Sequence, residues 1–298
     1  MKIVVSGASG LIGSALVPTL REDGHEVVKL VRRDARADDE VRWDPARHEL
    51  DPKHLADVDA VVHLSGANVG GRRWSDSYKR TILNSRVDTT QTIAAAIASA
   101  IPRPRILLSA SGVNFYGDTG DRTIDETSPA GTGFLAEVCA AWEEATRPAA
   151  DVGARVVNLR TSPVFSQKGG LLGPVALLFK LGLGGRLGSG RQYMPWISLR
   201  DQIDAMRFLL TADNVRGPVN LTAPEPVTNA EFTRELAEVL HRPAVLPVPR
   251  FALRIATGDF ADEAILAGIR ALPTVLLEHG YSFHDPDLRS ALRWALQR

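Results

Sequence analysis

The chain has 298 residues, 44% hydrophobic and 23% charged, the make-up of an ordinary globular protein with room for one large α/β domain or a main domain carrying a smaller one. Lysine plus arginine and aspartate plus glutamate both total 35, so the formal net charge is zero and no global field draws in nucleic acid or an anionic membrane. The single cysteine, Cys139, excludes an intramolecular disulfide and a cysteine-rich zinc site, the seven histidines include no His-x-x-x-His pair, and no metal site is expected.

Met1 leads straight into the strand Ile3-Val4-Val5 without an apolar leader, and no apolar run approaches the roughly eighteen residues of a membrane helix, so a cytoplasmic protein is expected. A glycine-rich loop follows, then a helix over 11–21 with Leu11, Ile12, Ala15, Leu16 and Leu20 on one stripe. Pro18 lies inside that helix and should kink it or end its regular ladder. Strands are expected at 26–31, 60–64, 105–109 and 155–159, with a long helix over 81–100. Continuous apolar strands alternating with amphipathic helices describe an α/β, doubly wound parallel sheet with right-handed crossovers, a Rossmann fold.

The second half changes character. Residues 166–195 are rich in glycine around an apolar run at 175–183, which reads as a short helix in mobile loops, a lid over a site. A helix is expected over 201–211 and a strand at 219–221. Another helix runs over 229–240, with Thr228 as N-cap and Glu231 at capping-box spacing. The remainder is proline-punctuated and helical with interruptions. The expected division is a Rossmann domain over 1–165 with return segments near 196–222, and a smaller C-terminal lid and substrate-binding region from 166–195 and 223–298.

The loop between the first strand and helix reads Ser6-Gly7-Ala8-Ser9-Gly10-Leu11-Ile12-Gly13. Gly7 suits a tight turn, Gly10 lets backbone N–H groups approach a pyrophosphate, and Gly13 lets the helix pack closely on the sheet, while the helix dipole favours the phosphate charge. Residues 7–13 are therefore expected to bind a dinucleotide, with an ordinary glycine-rich turn as the bland alternative. An NAD site would place a carboxylate at the end of the second strand; here Arg32 and Arg33 stand there, and two guanidiniums suit the 2′-phosphate of NADP. Two solvated arginines at a strand end are the competing reading.

The Gly-x-x-Gly-x-x-Gly spacing, together with Val62-His63-Leu64-Ser65-Gly66-Ala67, the run 105–111 and Phe115-Tyr116-Gly117, resembles the extended short-chain dehydrogenase/reductases, the superfamily of nucleotide-sugar epimerases. The segments at 181–192, Trp196-Ile197 and 222–227 are similar to a narrower epimerase-like branch with a C-terminal segment of unknown function. The resemblance implies that Leu64, Ser65, Gly66 and Ser109 pass beside the cofactor.

It also implies a Tyr-x-x-x-Lys proton relay, and there the chain departs from the pattern. Aligned on the later glutamate, Leu135 stands where the tyrosine belongs and Cys139 where the lysine belongs, while the serine survives as Ser111. A leucine transfers no proton and a thiol supplies no fixed positive charge. Candidate substitutes are Tyr116, against a packing role; Cys139, against a small buried apolar residue; and Glu137, against a solvated helix face. His63 reads as core or cofactor-adjacent. In the lid, Lys168, Lys180, Arg186 and Arg191, with Tyr193 and Trp196, suit an anionic, planar ligand. Arg186, Arg191, Tyr193 and Trp196 are thus the expected substrate contacts. The expected function is an NADP(H)-dependent oxidoreductase or epimerase-type enzyme acting on a small molecule, leaving open whether that molecule is nucleotide-linked and whether the protein is a monomer or a homodimer. The alternative is an NADP(H)-binding sensor or interaction protein that has lost its chemistry.

Overall fold

The computed structural model describes residues 1–166 and 169–297. Strands β1 (Lys2–Ser6), β2 (Glu26–Val31), β3 (Glu40–Arg42), β4 (Ala60–His63), β5 (Ile106–Gly112), β6 (Arg155–Thr161) and β7 (Gly217–Leu221) form one sheet in the order β7-β6-β5-β4-β1-β2-β3. Every pairing in it is parallel. The order reverses between β1 and β4, which opens a crevice at the carboxyl ends of those strands.

The uninterrupted apolar strands are explained by what covers them. Ile3, Val5, Val62 and Leu108 face one core with helices α1 (Leu11–Glu22) and α5 (Leu199–Thr211). Their neighbours Val4, Val61 and Leu107 face the other core, against Ile93, Ala94 and Ile97 of α2 (Asp76–Ser99). Alternate residues of one strand thus bury into opposite layers, and neither layer tolerates a polar run. Helix α3 (Phe134–Glu144) connects β5 to β6 and walls the crevice.

Pro18 does not break α1, which runs as one helix to Glu22. Ser14, whose carbonyl loses its intrahelical partner to the proline, is exposed like Pro18 itself, so the break in the ladder falls on the solvent side of the helix. In the lid, helix α4 spans Leu172–Lys180, three residues earlier than the apolar run suggests. Pro174 stands in its first turn, where no N–H is needed. Helix α6 (Asn229–Leu240) starts with the expected capping box, Thr228 and Glu231 exchanging both bonds. Helices α7 (Arg250–Thr257) and α8 (Leu288–Leu296) follow.

A separate apolar cluster joins α4, α6 and α8 through Phe179, Phe232, Leu236 and Leu292, with Phe165 and Trp196 inserted from the chain leaving the sheet. The returning C-terminal segment is tied to α5 by one fully buried carboxylate. Asp201 accepts from the backbone N–H of His284 (2.7 Å) and Asp285 (2.9 Å), from Ser198 Oγ (3.0 Å) and from the Tyr281 hydroxyl (3.2 Å). Among the described residues no helix is long and apolar enough to cross a membrane, and no three metal-binding side chains come together.

Candidate functional site

The crevice at the switch of strand order has a volume of about 380 Å³. One side is the loop after β1. Gly7 has a φ of +71°, and a Cβ there would lie 2.7 Å from the Leu64 carbonyl; a Cβ on Gly13 would lie 2.3 Å from the Gly7 oxygen. Both positions accept only glycine, so that α1 starts directly against the end of β4. A Cβ at Gly10, by contrast, meets only the Gly7 oxygen, at 3.3 Å. The start of α1 has no side-chain cap and no acidic residue in its first turn. Its amides and dipole are left for an anion. Gly7, Gly10, Leu11, Ile12 and Gly13 line the crevice, and Ala8 and Ser9 complete the turn. Across from them, Leu64 and Gly66 also line it, with Ser65 half-buried between them. Bare amides beside an apolar floor fit a dinucleotide. The lid reaches the same place: Leu11 lies against Gly169 and Gly170.

At the end of β2 the two arginines part company. Arg33 forms a two-pronged pair with Glu40, both contacts at 2.8 Å, and this pairing holds the Glu40 carboxyl down at about 2. Arg32 is exposed and makes no ion pair among the described residues. A phosphate arriving there finds one uncommitted guanidinium rather than two.

The far wall comes from β5 and α3. Ser111 Oγ lines the crevice and donates to Glu143 Oε1 at 2.7 Å. Arg160 grips both Glu143 oxygens, Nε to Oε1 at 2.8 Å and Nη2 to Oε2 at 2.9 Å. Burial works against the Arg160 charge, yet the Glu143 pairing keeps its pKa above the ordinary value. Arg160 Nη1 also donates to the Tyr116 hydroxyl (2.9 Å), which donates to Asn220 Oδ1 (2.7 Å). The expectation that Tyr116 faces the crevice is therefore corrected. Its ring is 3% exposed and packs in a small core with Val113 and Ile124, and burial pushes the phenol up to about 12.

Leu135 and Cys139, the two positions where the relay is missing, both face the crevice from α3, with Val138 and Trp142. Burial pushes the Cys139 thiol up to about 12 despite the nearby Arg86 cation, so it is protonated and a poor nucleophile at neutral pH. Glu137 points to solvent. Ser109 is fully buried, its hydroxyl has no hydrogen-bond partner among the described residues, and it does not line the crevice. His63 is a core histidine: Nδ1 meets Ser6 Oγ at 2.6 Å, Nε2 meets Thr90 at 3.0 Å, and burial lowers its pKa to about 3.

The four expected substrate contacts, Arg186, Arg191, Tyr193 and Trp196, do not line this crevice. Trp196 is 1% exposed and stacks on Phe165 at 5.6 Å inside the second core, so the expected ligand contact is a packing residue. Tyr193 is half-buried beneath Arg270, 4.7 Å from its ring centre. Arg186 lines a different cavity, of about 510 Å³, with Arg234 and Arg242, and Arg191 is exposed. Lys168 lies outside the described residues.

A crevice residue, Arg86, and a helix-capping residue, Glu263, escaped the sequence reading. Arg86, on α2, is 8% exposed. Its place on the buried stripe Ile82-Arg86-Thr89-Ile93 is the signal that was available. Glu263, in a short turn over Ala261–Ile265, accepts from the first amides of α3: Phe134 at 3.2 Å and Leu135 at 3.1 Å. It caps from 128 residues away, and no local pattern announces that.

The residues at 3–222 match the family described as NAD dependent epimerase/dehydratase, and 248–295 match a domain of unknown function, DUF1731. The chain belongs to the NAD dependent epimerase/dehydratase family. An epimerase family protein of Mycobacterium tuberculosis is 49% identical over 296 residues, spanning 99% of this chain and 98% of the relative. Among solved structures, that of the human epimerase family protein SDR39U1 (isoform 2) with NADPH superposes with a TM-score of 0.92 at 33% identity, covering 99% of each chain. A nucleoside-diphosphate sugar epimerase from Corynebacterium glutamicum gives 0.83 at 33% identity, covering 99% of this chain and 58% of that one. Glu263, the cap of α3, thus belongs to the segment of unknown function, while the helix it caps belongs to the family segment.

Proposed function

We propose that the protein is an NADP(H)-dependent reductase of the epimerase family acting on a small carbonyl compound. The observation that carries the reading is the juxtaposition, in one crevice, of the bare N-terminus of α1 with the Ser111 hydroxyl. The human relative solved with NADPH supports the choice of cofactor, and the exposed Arg32 is the group to hold the 2′-phosphate. When bound, the cofactor supplies the hydride. The chain's own task is to fix the substrate oxygen. Ser111 can turn its hydrogen from Glu143 to that oxygen, while Glu143 stays in place on Arg160, and the proton that completes the alcohol is taken up from solvent at the crevice mouth. Leu135, Val138 and Leu64 keep water from the reacting face.

NADPH titration, followed by a steady-state assay on a carbonyl panel, tests this. Gly10→Val puts a side chain where the pyrophosphate must lie, and binding should fall at least a hundredfold in a folded protein. Arg32→Ala should weaken NADPH about tenfold and leave NADH unchanged. Ser111→Ala should lower turnover about 10²-fold with NADPH affinity intact. Full NADPH binding by Gly10→Val would sink the cofactor reading. The missing relay at Leu135 and Cys139 favours a second reading, a non-catalytic NADPH sensor. Tight binding without turnover across the panel would establish it.

A further inference from the structure

Arg86 carries a buried charge that no counter-ion neutralises among the described residues. Its Nη1 donates to the Ile82 carbonyl of its own helix (3.0 Å), and its guanidinium carbon lies 4.8 Å from the centre of the Trp142 ring. No carboxylate pairs with it among the described residues. Glu143, which follows Trp142 on α3, has both oxygens taken up by Arg160 and Ser111. Its titratable neighbours are Cys139, a protonated thiol, and Tyr78, whose hydroxyl donates to the Asn68 carbonyl. Gly66 brings the backbone at the end of β4 up to it, since a Cβ there would be 3.3 Å from the guanidinium carbon. The guanidinium lines the crevice on the β4–β5 side, away from Arg32 and the β2 end. A dinucleotide lying across the switch point with its 2′-phosphate at Arg32 presents its nicotinamide to the Arg86 half.

Resting on the reading that this crevice takes a nicotinamide dinucleotide, we infer that Arg86 makes its inner half electropositive and thereby selects the reduced, uncharged nicotinamide over the oxidised, cationic one. A buried cation without a counter-ion repels a second positive charge more strongly than water would allow. For a separation of roughly 7–10 Å and an effective dielectric of about 20, the penalty is about ten- to fiftyfold in affinity. The pyrophosphate and 2′-phosphate contacts are common to both forms and cancel in the comparison. The bias suits reduction, because the cofactor leaves more readily after giving up its hydride.

The experiment is a pair of titrations, NADPH and NADP+, on the same protein at the same ionic strength. The wild-type protein should hold NADPH at least tenfold more tightly. Arg86→Gln should bring the two dissociation constants within about threefold, mainly by tightening NADP+. Cys139→Asp, which sets a counter-charge beside the guanidinium, should narrow the gap in the same direction without touching Arg86. Equal affinities in the wild-type protein, or an Arg86→Gln variant that loses both forms alike, would overturn the inference while leaving the dinucleotide reading standing. If neither form binds the wild-type protein, the dinucleotide reading fails and takes this inference with it.

Discussion

Both ring nitrogens of His63 are occupied, one by Ser6 and the other by Thr89 and Thr90, in a site closed to water. The unfolded chain takes up a proton on this ring near pH 6.5, whereas the folded protein resists until about pH 3. The stabilisation is therefore complete above about 6.5 and drains as the pH falls below it. Between pH 6.5 and 5 the loss from this one group is about 2 kcal/mol. Urea melts at pH 7 and pH 5 should show that loss, and His63→Gln should flatten it. A variant with the same pH slope as the wild-type protein would assign the loss to other groups.

Helix α3 depends on a partner far along the chain. Its N-cap position, Gly133, offers no side chain, and the Glu263 carboxylate takes over the first two amides. Glu263→Ala should cost about 1–2 kcal/mol, the usual worth of a lost cap with a charge at a helix N-terminus. Thermal unfolding will read this, and an unchanged midpoint would remove the cap from the account. The contrast with α1 and α6 shows what a sequence can disclose. Gly7, Gly10 and Gly13 announce α1 because strand, turn and helix are adjacent, and Thr228 and Glu231 announce α6 for the same reason. Arg86 left a trace, a charge on an apolar stripe, which passes for a solvated arginine until the crevice is seen. Ser111, Glu143 and Arg160 lie on three elements, so their alignment is a product of the sheet. Tyr116 and Trp196 were misplaced because an aromatic near a glycine-rich loop looks the same in sequence whether it faces a ligand or a core.

The fold closes on itself through Asp201. Four donors, one on Ser198 at the start of α5 and three from 281–285, end on this one buried carboxylate, and Arg200 pairs with Asp285 beside it. Asp201→Ala would leave the Ser198, His284 and Asp285 donors without this acceptor, while the Tyr281 hydroxyl keeps the Asp201 backbone carbonyl, costing about 3 kcal/mol or more. The expected outcome is a marked fall in the unfolding midpoint and faster proteolysis after residue 270. A variant as stable as the wild-type protein would mean that the C-terminal core of Leu288, Ala291 and Leu292 is what holds the segment down.

The cap on α3 has a consequence for heredity. The helix that walls the crevice and the carboxylate that starts it lie in segments matched by separate families, so an exchange of C-terminal segments between relatives is not a neutral graft. A chimera inherits the crevice wall intact only if its donor brings an acceptor to the place of Glu263. The two segments are expected to travel through evolution as a linked pair, with the C-terminal one retained for the wall it completes.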